Sequence, residues 1–574
     1  MGRILDALEQ RTGVVGLLRR FGARRVPGAR FANGTGALVL AAFLIQVVTG
    51  LTLATTYAPS TSTAWGSVWA IDHQMILGHV VRGVHHWGSS AIIILSIVHM
   101  TQVLLYGAHR APRDVNWILG VLMLLVVLGM GLTGYMLPWD QKGYWAARVA
   151  TGIIAETPGG TAVRELLIGG SELTSSSLTR LYGLHAMVLP LVLGLLSVVH
   201  VALHLRHGAK PRPRRAAGPP ARPEAAPTAT FWPYQAARVV VMAGLLLGTL
   251  LAVATLVGVH LEAPADPSSA YQARPEWYFL GLFQLLELFD GPLVLIGTFV
   301  IPTLAIAFLF AVPALERRTS GEGPSRRVLW PYLGILAGAV ALTTVALVTD
   351  ANDDDFQKAR AEAVAAGDRA AELAELGGID PAGRVVLLEG HKLYQEKGCG
   401  GCHDGTKHAS PALKGYGSEA RLRAFLADPN GAGFFAGTGL QGAMSAIRLE
   451  GADLDAMIAF LRSLGAPSDA SAEVVRHGRK LFKQRCTDCH NLPGASLFDE
   501  DRYDLRAKGP DLAGYGGFEW TRTLVRDANH PTVFGAALDA DKRAHAMPAY
   551  PDLSDDELAL VVRWLLAGAP GAKR

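Results

Sequence analysis

Two short stretches hold all four cysteines of the chain, CGGCH at 399–403 and CTDCH at 486–490. In this pattern each thiol can add to one vinyl group of a haem while the adjoining imidazole reaches the iron. Cys399, Cys402 and His403, and likewise Cys486, Cys489 and His490, therefore read as two covalent c-type haem sites. A structural disulfide or a zinc site is the competing reading, and two complete copies with no spare cysteine weigh against it. Each iron needs a sixth ligand, and a methionine thioether would raise its potential, as suits an electron acceptor. Met444 in GAMSAI and Met547 in HAMPAY, each upstream of the last helix of its copy, are the candidates. Met457 falls at apolar helical spacing and reads as core. Pro411 and Pro510 lie where a carbonyl could orient the ligand histidine.

A second set of histidines sits inside apolar stretches. His85 and His99 are 14 residues apart on one predicted helix, and His185 and His200 are 15 apart on another. At about 1.5 Å per residue, each pair is separated by roughly 21–23 Å along its helix, so two facing helices could clamp two stacked, non-covalent b-type haems. The 15-residue interval returns less neatly to one face and calls for a local bulge. A flat porphyrin between helices needs close backbone approach. Gly36 and Gly50 on one helix and Gly120 and Gly134 on another repeat the 14-residue interval. His73, His79, His86, His109, His204 and His207 fall near ends or off this register and read mostly as solvated or interfacial.

One carboxylate stands out. Glu276, in ARPEWYFLG at 273–281, lies in an apolar and aromatic run between two long hydrophobic segments, where an acid is costly unless paired or able to take a proton.

The elements that must position these groups follow from composition. Of 574 residues, 50% are hydrophobic and only 18% charged, which places the chain with membrane proteins carrying soluble additions. A net charge of +4 and no aromatic-interleaved basic patch make nucleic acid an unexpected partner. Seven apolar stretches, about 33–57, 77–105, 116–137, 182–206, 235–259, 291–314 and 328–349, are long enough to cross lipid. With a cytoplasmic N-terminus, the inner tail and loops carry 18 Lys and Arg against 5 in the outer loops, an orientation that puts residues after Asp350 outside the cytoplasm. Covalent c-type haem is attached on that same side.

The predicted architecture is all-α: a seven-helix transmembrane haem-binding bundle, four plus three helices, followed by two small helical cytochrome c domains. The segments are an amphipathic N-terminal stretch (1–32) lacking a signal cleavage site, a four-helix haem domain (33–207), a Pro-rich linker (208–230), a three-helix domain (231–350), an acidic linker (351–380), and cytochrome c domains at 381–467 and 468–574. The last two form an internal repeat: GHKLYQ and GRKLFK precede the CxxCH motifs, LKGYG and LAGYG follow them, and a terminal amphipathic helix closes each copy.

Residues 30–350 resemble cytochrome b of the quinol to cytochrome c oxidoreductases, the bc-type complexes. The resemblance rests on RGVHHWG with a histidine 14 residues after His85, on GLTGYMLPWDQKGYW (131–145), on His185 with His200, and on PEWYFL. The 15-residue spacing and PWDQKGYW look closer to the chloroplast and cyanobacterial branch, with its separate three-helix subunit fused on here. The resemblance implies that Glu276 accepts a quinol proton near the outer face and that Tyr135, Trp139 and the 140s loop wall the same pocket. It also implies that Arg82 pairs a haem propionate. One electron would pass to a separate Rieske iron–sulfur protein and on to cytochrome c, the other through the His85/His185 haem to the His99/His200 haem and a quinone, with protons released outside. A homodimeric complex in a bacterial inner membrane, delivering electrons to a soluble cytochrome c or terminal oxidase, completes the expectation.

The chain departs from the pattern in two places. Gly34 stands where the chloroplast branch attaches an extra haem through cysteine, so that thioether is impossible here. Val239 stands where the mitochondrial branch has an acid at the cytoplasmic quinone site, leaving His204, Arg206 and His207 as candidates. A haem-bearing membrane anchor, carrying electrons between a periplasmic dehydrogenase and the quinone pool, would need the histidines but has no use for PEWY.

Overall fold

A computed structural model describes residues 6, 9–27, 31–210, 228–267, 269, 271–289, 291–319, 323–380, 383–404, 410–467, 469–492, 509–535 and 547–570. The chain divides into two compact units, residues 1–369 and 370–574. Of the Pro-rich linker, only its ends lie among the described residues. There Thr228–Thr230 pairs antiparallel with Arg25–Pro27.

Among the described residues of the first unit, seven helices are long and apolar enough to cross a membrane. They comprise α1 (Thr35–Ala54), α2 (Gly78–Leu105), α3 (Asp114–Met136), α4 (Leu189–His207), α5 (Ala236–Leu256), α6 (Ile301–Leu315) and α7 (Arg326–Asn352). Short 3-10 or π-helical turns lengthen α1, α4, α5 and α6 at their N-terminal ends. Large apolar side chains such as Val48, Leu195, Val240 and Leu245 stand more than 60% exposed on these helices. In water that would be a liability; against lipid tails it is the expected outer surface. The chain is a multi-pass membrane protein.

The helix α1 packs on α2, and α3 on α4, while α5 lies along α2. A short helix at Trp277–Glu287 packs on α7. The α2–α5 contact is close: a Cβ on Gly83 would come within 2.7 Å of the Ala254 Cβ. Between α3 and α4 the chain forms three short helices whose buried residues, with Ala64, Met136, Trp139 and Leu178, build a separate apolar cluster. Asp140 caps the first of them by accepting from the Gly143 amide at 2.8 Å. The segment around Pro264 then hydrogen-bonds to the backbone on either side of Asp140.

In the second unit, α8 (Val386–Glu396), α9 (Glu419–Ala427), α10 (Gly451–Ser463), α11 (Ala472–Arg485), α12 (Phe518–Arg526) and α13 (Asp555–Leu566) make two apolar cores. The packing does not follow the division at 467/468. α8 mates with α13, and α10 with α11. The connection between α10 and α11 spans only residues 464–471, so these two meet as a hairpin with little loop-closure entropy.

Candidate functional site

The four membrane histidines face each other in pairs. The ring centroids of His85 and His185 lie 6.2 Å apart, and those of His99 and His200 lie 6.4 Å apart. Two metal–imidazole bonds of roughly 2 Å each, plus the two ring radii, fill such a gap with one metal ion between them. The spacing therefore fits a bis-histidine haem at each level. The bulge expected for the 15-residue interval is a π-helical turn at Leu184–Val188, which contains His185.

Each glycine of the 14-residue repeat lies against one of these rings. A Cβ on Gly36 would come within 3.0 Å of His99, on Gly50 within 3.0 Å of His85, and on Gly134 within 2.7 Å of His185. On Gly120 it would sit 3.7 Å from His200, an ordinary contact. The glycines thus make room for the imidazoles themselves.

Three threonines, not singled out from the sequence, hold the rings in place. The Thr49 hydroxyl lies 2.9 Å from His85 Nδ1, Thr133 lies 3.1 Å from His185 Nδ1, and Thr35 lies 3.1 Å from His99 Nδ1. With Nδ1 engaged, Nε2 is left to bind metal. The signal was present as a repeated Thr-Gly dipeptide at 35–36, 49–50 and 133–134; at 119–120 it is Leu-Gly.

A cavity of about 1160 Å³ opens beside the first histidine pair. Its lining includes His85, His185, Arg82, Tyr135, Lys142 and Glu276. Glu276 occupies the N-cap position of the Trp277–Glu287 helix, is largely buried, and accepts a hydrogen bond from Lys142 Nζ at 2.6 Å. The carboxylate thus has a cationic partner beside it on the cavity wall. Neighbouring aromatic rings are pinned too: Trp277 Nε1 donates to Ser90 Oγ at 3.0 Å. Arg274 fixes the entrance to its helix by a bidentate pair with Asp350.

Arg82 lines the cavity, its Nε donating to Asp72 at 2.7 Å and a terminal nitrogen to the Val259 carbonyl. Two expectations need correction. Trp139 does not line this cavity; it is buried in the separate cluster with Met136 and Tyr144, with its backbone at φ +52°. His109 is fully buried, edge-on to Trp117 and 3.8 Å from the Glu316 carboxylate, and burial lowers its pKa to about 4. Glu316 itself is held by Arg110 and by the Ser325 amide, an arrangement that excludes solvent from a residue expected near the surface.

In the second unit His403 Nδ1 donates to the Pro411 carbonyl at 2.7 Å, and His490 Nδ1 to the Pro510 carbonyl at 3.0 Å. Both imidazoles thus direct Nε2 away from the backbone, as an iron ligand requires. No disulfide joins any of the four cysteines. Met457 is fully buried core. Met444 packs against the cluster containing Cys486, and Met547 lies three residues before Tyr550, which packs against the cluster containing Cys399.

Comparison with known proteins matches three stretches of the chain to families. Residues 28–208 match the family model Cytochrome b/b6/petB, residues 387–465 match Cytochrome c, and residues 473–565 match Cytochrome C oxidase, cbb3-type, subunit III. The chain is 35% identical over 211 residues to cytochrome b6 of Gracilaria tenuistipitata var. liui, covering 36% of this chain and 98% of that protein. It is 34% identical over 218 residues to the menaquinol:cytochrome c reductase cytochrome b subunit of Bacillus subtilis (strain 168), covering 36% and 97%. A solved structure described as a hyperthermophilic respiratory Complex III superposes with a TM-score of 0.52 at 23% identity, over 64% of this chain and 97% of the other. At that identity the likeness speaks for the fold alone.

Proposed function

Since the chain belongs to the cytochrome b/b6 family, we propose that it is the core subunit of a quinol:cytochrome c oxidoreductase that also carries its own c-type haems. The observation that carries this reading is the cavity in which Glu276 and the His85/His185 pair share one wall. A bare haem anchor has no need of a paired carboxylate there.

In this reading His85 with His185, and His99 with His200, each hold one b-type haem, which supplies reversible one-electron chemistry when bound. The chain's residues do the rest. Hydroquinone enters the cavity between Tyr135 and the Trp277–Glu287 helix. Glu276 accepts a proton from a quinol hydroxyl as general base. Lys142 orients the carboxylate beforehand, and protonation of Glu276 breaks that ion pair and frees the side chain to turn toward the aqueous side. The two histidine levels provide an inward path for one electron of each quinol. The other would leave to a separate Rieske protein while the second proton passes to the outer aqueous side, and the motifs Cys399–His403 and Cys486–His490 would hold the c-type haems that receive that electron. The assembly is a homodimer, and a soluble cytochrome c or terminal oxidase is the final acceptor.

Quinol-driven cytochrome c reduction by the purified complex, with and without an inhibitor of the quinol pocket, tests the reading. Glu276→Gln should slow inhibitor-sensitive turnover at least tenfold while the b- and c-haem spectra persist. Undiminished turnover excludes the proton-acceptor role.

A further inference from the structure

The two CxxCH repeats do not each build a closed haem site. The core containing Cys399 takes Val386, Leu393 and Tyr394 from the first repeat but Val525, Leu553 and Trp564 from the second. Tyr394 lies against Trp564 with ring centroids 4.5 Å apart, and a Cβ on Gly390 would come within 2.4 Å of the Leu560 carbonyl. The core containing Cys486 takes Leu481, Phe482 and Leu512 from the second repeat but Leu422, Met457 and Phe460 from the first. Here Gly478, the counterpart of Gly390, would place a Cβ within 1.9 Å of the Ala456 carbonyl.

The chain changes lobe at two matching GYG turns. Gly415 and Gly417 have φ of +74° and +72°, and Gly514 and Gly516 have φ of +74° and +73°. Past the first turn, the described residues between 418 and 516 build the core containing Cys486; past the second, the chain returns to complete the core containing Cys399. The crossing points are tied down on both sides. The Gly415 amide donates to the Gly568 carbonyl at 2.8 Å, and a Cβ on Gly465 would lie 2.2 Å from the Gly517 amide nitrogen.

The methionines follow the lobes. Met444 packs into the Cys486 core, its carbonyl held by the Asn430 side chain at 3.0 Å. Residues 547–550 are non-helical; Tyr550 packs into the Cys399 core, and its amide donates to the Arg526 carbonyl. Three residues of chain reach at most about 10 Å, so Met547 is confined to that lobe. We propose that the two c-type haem sites exchange their closing segments, so that the iron bound by His403 takes Met547 and the iron bound by His490 takes Met444.

This rests on the reading that both CxxCH motifs carry covalent haem, and the test separates the two. In the full chain with Cys486→Ser and Cys489→Ser, haemochrome analysis should find one covalent haem; two in the parent and one here establish the attachment reading, and any other count removes it. With that haem present, Met547→Ala should abolish the near-infrared sulfur-to-iron charge-transfer band of the remaining c haem, and Met444→Ala should leave it. The opposite pattern, or no effect of either substitution, overturns the exchange. If the one-haem variant does not fold, zero-length carbodiimide cross-linking of the unaltered protein decides instead. Lys397, just past the C-terminal end of α8, should link to Glu557 in α13, the helix on which α8 packs. Links from Lys397 to Asp453 or Asp455 in α10, or no link to Glu557, overturn it.

Discussion

Lys142 Nζ and Glu276 Oε1 lie 2.6 Å apart across 134 residues of sequence, on the wall of the cavity beside the His85/His185 pair. Such a partly exposed pair contributes about 1 kcal/mol or less to stability, so its meaning is positional. Lys142→Met should therefore leave folding and haem content intact but slow quinol oxidation several-fold. In the double variant with Glu276→Gln the two effects should fall well short of additive, which a double-mutant cycle on turnover reads directly.

The threonines beside the ligand histidines make a sharper claim. A ligand imidazole that donates Nδ1–H to a hydroxyl is the more basic donor to iron. Thr49→Val or Thr133→Val should raise the potential of one b haem, and Thr35→Val that of the other. A lost hydrogen bond of about 0.5–1.5 kcal/mol corresponds to roughly 20–60 mV for one electron. Optical redox titration resolves the two b haems and shows which one moves.

The glycines divide by the space they leave. A methyl on Gly134 would sit 2.7 Å from the His185 ring, against 3.7 Å between Gly120 and His200. Gly134→Ala should displace His185 and cut the extractable b haem toward half, whereas Gly120→Ala should retain both. Comparing haem content per mole of protein in the two variants checks this.

Asp140 gives a pH dependence. Burial pushes its carboxyl up to about 6, with Glu262 adding to the rise and the Gly143 amide and Lys142 opposing it. A carboxyl whose folded-state pKa lies above its unfolded value favours the fold while protonated. That stabilisation is fully present below about pH 4 and is lost as pH rises through about 6. Asp140→Asn, which keeps a capping side chain, should match the wild type near pH 4 and exceed it at pH 8 by up to about 3 kcal/mol. Thermal loss of the b-haem spectrum as a function of pH measures the difference.

The CxxCH motifs and the paired membrane histidines were legible because their signals are local or periodic. Two thiols and an imidazole must sit within five residues to grip one haem, and histidines must recur every 14 or 15 residues to stack two along a helix. Long apolar runs likewise announce crossing helices, since lipid demands about 20 residues of them. The Thr-Gly dipeptides were equally local but lacked meaning until the ring nitrogens were placed. Which distant groups meet was another matter. The pairing of Lys142 with Glu276, the withdrawal of Trp139 from the cavity and the full burial of His109 depend on how separate helices and loops lie against one another. The same is true of the repeats. Their motifs could be read one by one, but α8 and α10 present similar apolar faces to any mate, and the short connection between α10 and α11 together with two glycine turns decided the partners. Spacing along a chain constrains what a single element can grip; only packing selects which elements close around it.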